Sequence, residues 1–280
     1  MIDLHLHSTN SDGTDTVELL INKVKQLGIT KFAITDHNNI HSFEEVKKLS
    51  SSLSGGNGGV TFNLEYCPAA EFSTKLKDTE YHILAYGRNL QNPDIHMMAK
   101  SIKSEMENCA VEMINSITKE DHAERYTDYD YDRTRGGWKS LNYLIDLGLI
   151  ENKDGFWPLL ESHGPKAKYY TPAEAIEIIR SNGMFAVLAH PPAYQEGDCM
   201  PEDELTYWKD IGIMGFECYN IYYQNKENTR FYLDFCMKHN LLITGGSDYH
   251  GSFVPRELGS LMITEDKLKL GDLADEFLQI

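Results

Sequence analysis

The chain has 280 residues, with 41% hydrophobic and 25% charged side chains. That length and balance suit one large soluble domain, or a domain carrying an insertion, and exclude a disordered or fibrous chain. The 26 Lys and Arg against 43 Asp and Glu leave a net charge of −17, which opposes long nucleic acids and anionic membranes because both are held by basic side chains. No apolar run approaches the roughly eighteen residues of a transmembrane helix. The start MIDLHLHS lacks the basic and apolar regions of a signal peptide. Cys67, Cys109, Cys199, Cys218 and Cys236 show no CxxC spacing, so a cytoplasmic protein with reduced thiols is expected.

In chain order, the first forty residues read as β–α–β. Ile2–Leu6 is short, apolar and alternating. Val17, Leu20, Ile21, Val24 and Leu27 recur at helical spacing, and Gly28 is placed to stop that helix. Phe32–Thr35 reads as a buried parallel strand. A helix is predicted over about 42–49, then a flexible loop at Ser54–Gly59, which lacks the Lys-Ser/Thr of a phosphate-binding loop. Strand patterns resume at Val60–Leu64, Ala69–Phe72 and Tyr81–Tyr86. Residues 94–168 change character: they are helical and polar, with an Asp/Tyr/Arg-rich middle, and read as a helical insertion within a main domain of residues 1–93 and 169–280. Alternation returns with Thr171-Pro-Ala-Glu174, a capping box with Pro at the first helical position. Strands at Phe185–Ala189, Met214–Tyr219 and Leu241–Thr244 then alternate with helices, the last over Arg230–His239. The whole implies a parallel α/β fold, closed or nearly so.

The chemistry sits where the apolar strands end. His5 and His7 are spaced i, i+2, so both imidazoles leave the first strand on one face. Asp12 follows in a polar loop, Asp36-His37 ends the second strand, and Glu71, His82 and His190 mark three later ones. Asp248-Tyr-His250 repeats the i, i+2 device. Six histidines and three carboxylates converging on one face of a barrel-like fold exceed what one ion needs. Imidazole and carboxylate donors without thiolate suit Zn, Mn or Fe. His41, His96, His122, His163 and His239 fall in helical or insert regions and read as solvated, with His163 held open because it lies near the join of insert and main domain.

HLHSTNSDGT, ITDHNN, AAEFST, YHILAYG, LAHPP and GGSDYHG resemble, in order, the motifs of the PHP (polymerase and histidinol phosphatase) superfamily. The resemblance implies a distorted (β/α)7 TIM-like barrel, a trinuclear metal centre and phosphoester hydrolysis. It implies that His5, His7, Glu71 and Asp248 hold one ion. Glu71 would bridge to a second ion held by His82 and His190, and Asp12, His37 and His250 would hold a third. Asp36 would be a supporting residue. The insertion resembles that of the nucleoside 3′,5′-bisphosphate phosphatase branch, some members of which trim short RNA 5′ ends, and Trp138–Gly148 resembles its cap helix. That branch carries Arg-Thr-His before this helix, where the present chain has Arg135-Gly-Gly-Trp-Lys139. Cationic substrate contacts would then come from Arg133, Arg135 or Lys139, with Arg256 resembling a phosphate-contacting arginine.

Two or three divalent ions (Mn, Fe or Zn) would lower the pKa of a bridging water, and the resulting hydroxide would attack phosphorus in line. Asp12, Glu71, Asp248 and Arg256 are expected to take part, the guanidinium neutralising charge on the phosphoryl oxygens. The expected activity is a phosphatase acting on a small nucleotide or sugar phosphate. The alternatives are a 5′–3′ exonuclease on short oligonucleotides and a histidinol-phosphate-type phosphatase. An inactive metal-binding module is disfavoured because all nine ligand positions are filled. Long duplexes and membranes are not expected as partners.

Overall fold

In the computed structural model, the described residues are 1–53, 64–118, 122–223 and 226–280. The predicted loop at 54–59 and residues 60–63 of the predicted strand lie outside them, as does the side chain of His122. The N-terminal unit shows how sequence becomes structure. Strand β1 (Ile2–Asp3) leads to helix α1 (Val17–Gln26), whose N-cap Thr16 side chain accepts from the Leu19 amide. The helix buries Val17, Leu20, Ile21 and Val24, each worth about 1.5–3 kcal/mol when fully removed from water. It ends at Gly28, whose φ of 68° is in the left-handed region open to glycine.

Strand β2 (Lys31–Phe32), helix α2 (His41–Leu53) and strand β3 (Glu65–Tyr66) follow. The long strands β4 (Ala69–Leu76) and β5 (Thr79–Tyr86) form an antiparallel hairpin. Among the described residues, four helices come next without a strand between them: α3 (Pro93–Ile117), α4 (His122–Asp128), α5 (Lys139–Asp146) and α6 (Lys153–His163). They share an apolar cluster around Met113, Ile114, Tyr126, Leu141, Leu144 and Phe156. Helix α7 (Pro172–Ser181) has the capping box that Thr171 and Glu174 signal. Strand β6 (Phe185–Leu188), helix α8 (Glu202–Asp210), strand β7 (Gly215–Tyr219), helix α9 (Lys226–His239), strand β8 (Leu242–Gly245) and strand β9 (Leu278–Gln279) complete the order.

The α/β class is as expected, but a closed parallel barrel is not what forms. Strands run in two mixed sheets, ordered β1-β2-β3-β9 and β4-β5-β6-β7-β8. β4, β5 and β6 pair antiparallel, and β9 lies antiparallel on β3. The physical reason is connection length: only two residues join β4 to β5, and a link that short permits a hairpin but no parallel crossover. The N-terminal strands are also shorter than their apolar patterns, because the chain leaves regular pairing at the polar residues that build the site. Among the described residues the sheets meet through single bridges, Leu6 with Tyr249 and His37 with Glu71. Ile2, Leu4, Leu84, Val187, Ala189 and Ile263 pack between them, with the helices on the outer faces. The bridges therefore fall among the histidines and carboxylates.

Candidate metal centre

His5 and His7 follow β1 directly and are fully buried. Close backbone packing fixes them. A Cβ on Gly246 would stand 2.4 Å from the His5 Cβ, and one on Gly13 would stand 2.3 Å from the His7 carbonyl oxygen. Both positions require glycine. Asn38, His190 and Asp248 have positive φ values of 49°, 28° and 50°. Non-glycine residues held in this sparsely populated region cluster at functional sites.

Four ligand atoms meet around one point. His5 Nε2 lies 3.1 Å from His7 Nε2, 3.2 Å from Glu71 Oε2 and 3.3 Å from Asp248 Oδ1. His7 Nε2 lies 3.3 Å from Glu71 Oε2 and 3.2 Å from Asp248 Oδ1. Ligand atoms about 2.0–2.1 Å from a common ion, in tetrahedral or octahedral array, stand about 3.0–3.4 Å apart. The residues present fit a divalent metal.

Two further groups adjoin this one. His7, Asp12, His37 and His250 bring donors together, with Asp12 Oδ1 3.3 Å from His250 Nε2. His37, Glu71 and His82 form the third. Glu71 joins the groups: Oε2 faces His5, His7 and His37, the last at 3.2 Å from its Nδ1, while Oε1 lies 3.1 Å from both His82 Nδ1 and His190 Nε2. Asp12 Oδ1 and His190 Nδ1 are buried without a hydrogen-bond partner, which is where an absent ligand or ion would be expected.

Electrostatics fit the same picture. Burial would raise the Glu71 carboxyl, but His37, His5 and His82 outweigh it and hold its pKa well below the usual carboxylate range. Asp248 and Asp12 are likewise held low by neighbouring imidazoles against burial. Burial drives His37 down to about 3, against the pull of Glu71 and Asp12. His7 and His82 go the other way, to about 9 and about 10, because their carboxylate partners overcome burial.

Of the supporting residues, Glu217, Tyr222, Tyr194 and Asp3 gave no sequence signal, whereas Arg256 and Asp36 were expected near the site. Glu217 on β7 is buried, accepts from His190 N at 2.7 Å and lies 2.9 Å from His5 Nδ1. A carboxylate on the far nitrogen of a ligating imidazole orients the ring. Tyr222 donates to Asp248 Oδ2 at 2.9 Å, and Arg256 binds both Asp248 and Tyr222. Tyr194 accepts from His82 N. Burial raises the Asp3 pKa to about 6, though its carboxylate accepts from the Ser247 and Gly259 amides. Asp36 lies beneath the site, taking hydrogen bonds from Ser8, Ser11 and Ser42.

Residues 136–137, between Arg135 and Lys139, lie against this site: the Gly137 amide donates to the Asp12 carbonyl at 2.8 Å. Arg135 and Lys139 themselves are engaged elsewhere. Arg135 forms a two-pronged pair with Asp146 at 2.9 and 3.0 Å, and Lys139 contacts Glu107 at 3.2 Å. Arg133 is exposed. His163 lies near Ser116 in the insert and belongs to none of the donor groups among the described residues.

Comparisons with known proteins now bear on this geometry. A 5′-3′ exoribonuclease from Haemophilus influenzae is 24% identical over 256 residues, which is 89% of this chain and 89% of that one. A 3′,5′-nucleoside bisphosphate phosphatase from Chromobacterium violaceum is 24% identical over 259 residues, covering 89% and 87%. A solved structure from Bifidobacterium adolescentis, described as a metal-dependent phosphoesterase, superposes with a TM-score of 0.75 at 23% identity and covers 98% of this chain and 94% of that one. Residues 3–129 match the PHP domain family. That match begins one residue beyond the start of β1 and takes in His5, His7, Asp12, His37, Glu71 and His82, so residues 3–129 resemble a PHP domain and the chain is a metal-dependent phosphoesterase, a hydrolase.

Proposed function

We propose that the chain hydrolyses a phosphate monoester of a small nucleotide-like substrate at a centre of two or three divalent ions, Mn, Fe or Zn. The observation that carries this reading is Glu71, whose two oxygens face different sets of imidazoles and so join three adjoining donor groups. In this reading His5, His7, Glu71 and Asp248 hold one ion, His82 and His190 share Glu71 in a second, and Asp12, His37 and His250 hold a third. Such ions supply Lewis acidity and a water of lowered pKa when bound. The chain's own residues position and screen: Arg256 keeps Asp248 turned so that Oδ1 faces His5 and His7, and its unused N–H donors are available to a phosphoryl oxygen. Residues 1–93 and 169–280 act as an opened, distorted (β/α)7 barrel, and residues 94–168 as a cap whose Gly136–Gly137 turn closes on Asp12. Arg135 and Lys139 would exchange Asp146 and Glu107 for phosphate. No helix among the described residues is long and apolar enough to cross a membrane, and the five free thiols suit a reducing cytoplasm.

A second reading, exonucleolysis of short oligonucleotides from the 5′ end, is supported by the similarity to the Haemophilus influenzae exoribonuclease. Both are tested by metal analysis of protein purified without chelator, then by product release. The panel is 3′,5′-bisphosphates, AMP, histidinol phosphate and a labelled short RNA. Phosphate release that the His190→Ala variant loses supports the first reading, and stepwise mononucleotides support the second. If metal-loaded protein released neither, both readings would be wrong.

A further inference from the structure

We propose that Tyr222 is a positioning residue that acts on two of the candidate metal ligands at once. Its hydroxyl fixes Asp248 as a ligand through one oxygen only, and its ring walls in the His190 imidazole. The inference rests on the reading of the centre as a site for two or three ions, and assigns a residue that this reading does not use.

Tyr222 follows the end of β7, the strand whose Glu217 supports His5 and His190. The buried Asn220 ties the two together. Its Nδ2 donates to the Glu217 carbonyl at 2.8 Å, and its Oδ1 accepts from the Tyr222 amide at 3.0 Å. An Asn side chain that takes the amide two residues on fixes a turn, so Tyr222 leaves the strand end in a set direction. The direction of each hydrogen bond at its hydroxyl follows from the partners. Arg256 Nη2 lies 2.5 Å from the phenolic oxygen, and a guanidinium has donors but no acceptor. The phenol therefore accepts from Arg256 and turns its single proton to Asp248 Oδ2, 2.9 Å away. Arg256 Nη1 donates to the same Oδ2, and to the Asp248 carbonyl at 2.9 Å. Two donors thus occupy Oδ2, while Oδ1 faces His5 Nε2 at 3.3 Å and His7 Nε2 at 3.2 Å. When Arg256 turns to a phosphoryl oxygen, the phenol is the donor that keeps Oδ2 in place.

The ring acts separately. His190 Nε2 lies 3.1 Å from Glu71 Oε1, but among the described residues its Nδ1 has no hydrogen-bond partner. His5 differs, because the Glu217 carboxylate stands on its far nitrogen. Packing has to orient His190 instead. The Tyr222 ring lies 5.1 Å from it, tilted by 51°, and the Tyr194 ring 5.5 Å, tilted by 50°. Both separations are within the range of favourable ring contacts. The His5 and His82 rings, at 5.6 and 5.4 Å, complete the surround. Tyr194 is engaged on the other side, its hydroxyl accepting from the His82 amide at 2.8 Å. Tyr222 is therefore the ring that ties His190 to Asp248. In the proposed centre these two ligands serve different ions, so one side chain steadies two ion positions. Removing an outer partner of a ligand costs about 10–100-fold in metal affinity.

The test reads manganese binding, not turnover. Chelator-treated full-length protein is titrated with Mn²⁺ in competition with a calibrated chelator, and thermal melting in excess chelator is the control. Tyr222→Phe removes the hydroxyl and keeps the ring. It should weaken one Mn²⁺ equivalent about tenfold or more and leave the others within about threefold of wild type. Tyr222→Leu removes both, and should weaken a second equivalent by about as much; Tyr222→Met replaces it if the Leu variant does not fold. Without metal, the Phe variant should melt with the wild-type protein, since Arg256 still donates to Asp248 Oδ2. A Phe variant that keeps every equivalent at wild-type affinity would overturn the inference. So would one that weakens all equivalents alike while melting lower without metal, because the hydroxyl would then support the fold alone. A Leu variant no worse than the Phe variant would remove the role of the ring. Wild-type protein that binds a single Mn²⁺ would instead overturn the reading of two or three ions, and with it the division between hydroxyl and ring. Two or more bound ions with an unaffected Phe variant would leave that reading standing and remove Tyr222 from it.

Discussion

Glu217 offers the sharpest test of how the centre is built. Its carboxylate sits between two candidate ligands, 2.9 Å from His5 Nδ1 and accepting from the His190 amide at 2.7 Å. With Nδ1 donating to Glu217, His5 presents Nε2 as a lone pair toward His7, Glu71 and Asp248. Glu217→Gln keeps the shape and removes this arrangement. The Gln side chain has one acceptor oxygen for two donors on opposite sides, so one donor faces an NH₂ group. Losing such a partner costs about 10–100-fold in metal affinity, or about 1.4–2.7 kcal/mol at about 1.36 kcal/mol per tenfold. The assay is competition with a calibrated chelator at pH 7, alongside thermal melting in excess chelator. The melting control matters because an unpaired buried donor costs about 1–3 kcal/mol of stability by itself. A folded Gln variant that held its metal within threefold of wild type would refute the reasoning, since the carboxylate would then contribute packing alone.

Other consequences are as direct. Gly246→Ala should cost about 1–3 kcal/mol and lower the melting temperature by several degrees, because the new methyl meets the His5 backbone at 2.5 Å; an unchanged melting curve would count against the tight packing. In chelator-treated protein the carboxylates beside His7 and His82 should hold their titration at about 9 and about 10, above the ordinary 6.5. Their contribution to stability is therefore complete below pH 6.5 and lost as pH rises toward 9 to 10. Metal loading should remove that alkaline decline and release protons at pH 8, since ligating imidazoles are neutral. Calorimetry in buffers of different ionisation enthalpy measures the release, and none would contradict the assigned shifts. Arg135→Ala should change stability by less than about 1 kcal/mol, as its pair with Asp146 is substantially exposed. Denaturant midpoints decide this, and a larger loss would mean that the turn before Gly136 depends on that pair.

Much of the site is legible before folding, and the reason is local. His5 and His7, or Asp248 and His250, are close in sequence, and strand geometry sends i and i+2 to one side. Polar donors ending apolar runs stand out against their flanks. Helix caps are equally local, as Thr171 with Glu174 shows. Sheet closure is not local. The parallel barrel expectation fails at β4, β5 and β6, where a two-residue link forces a hairpin, and at β9, which pairs with β3 across more than two hundred residues. Glu217 and Tyr222 also escaped notice, because a glutamate or tyrosine near a strand end has no pattern of its own. Each is defined by a partner from elsewhere, His5 and Asp248 respectively. His41 and His96 read as solvated, and they are exposed, but folding sets them on facing walls of one cleft.

By itself, then, the sequence determined the donor types, their placement at strand ends and the alternation of strands and helices, since these follow from nearest neighbours and backbone periodicity. Only the tertiary structure decided which Glu71 oxygen faces which imidazoles, that Glu217 and Arg256 fix the ligands' orientation, and that the lysines of α3 line a cleft beside the centre. Those are distances between residues far apart in the chain, and the ligand spacing is set by packing that no local pattern contains.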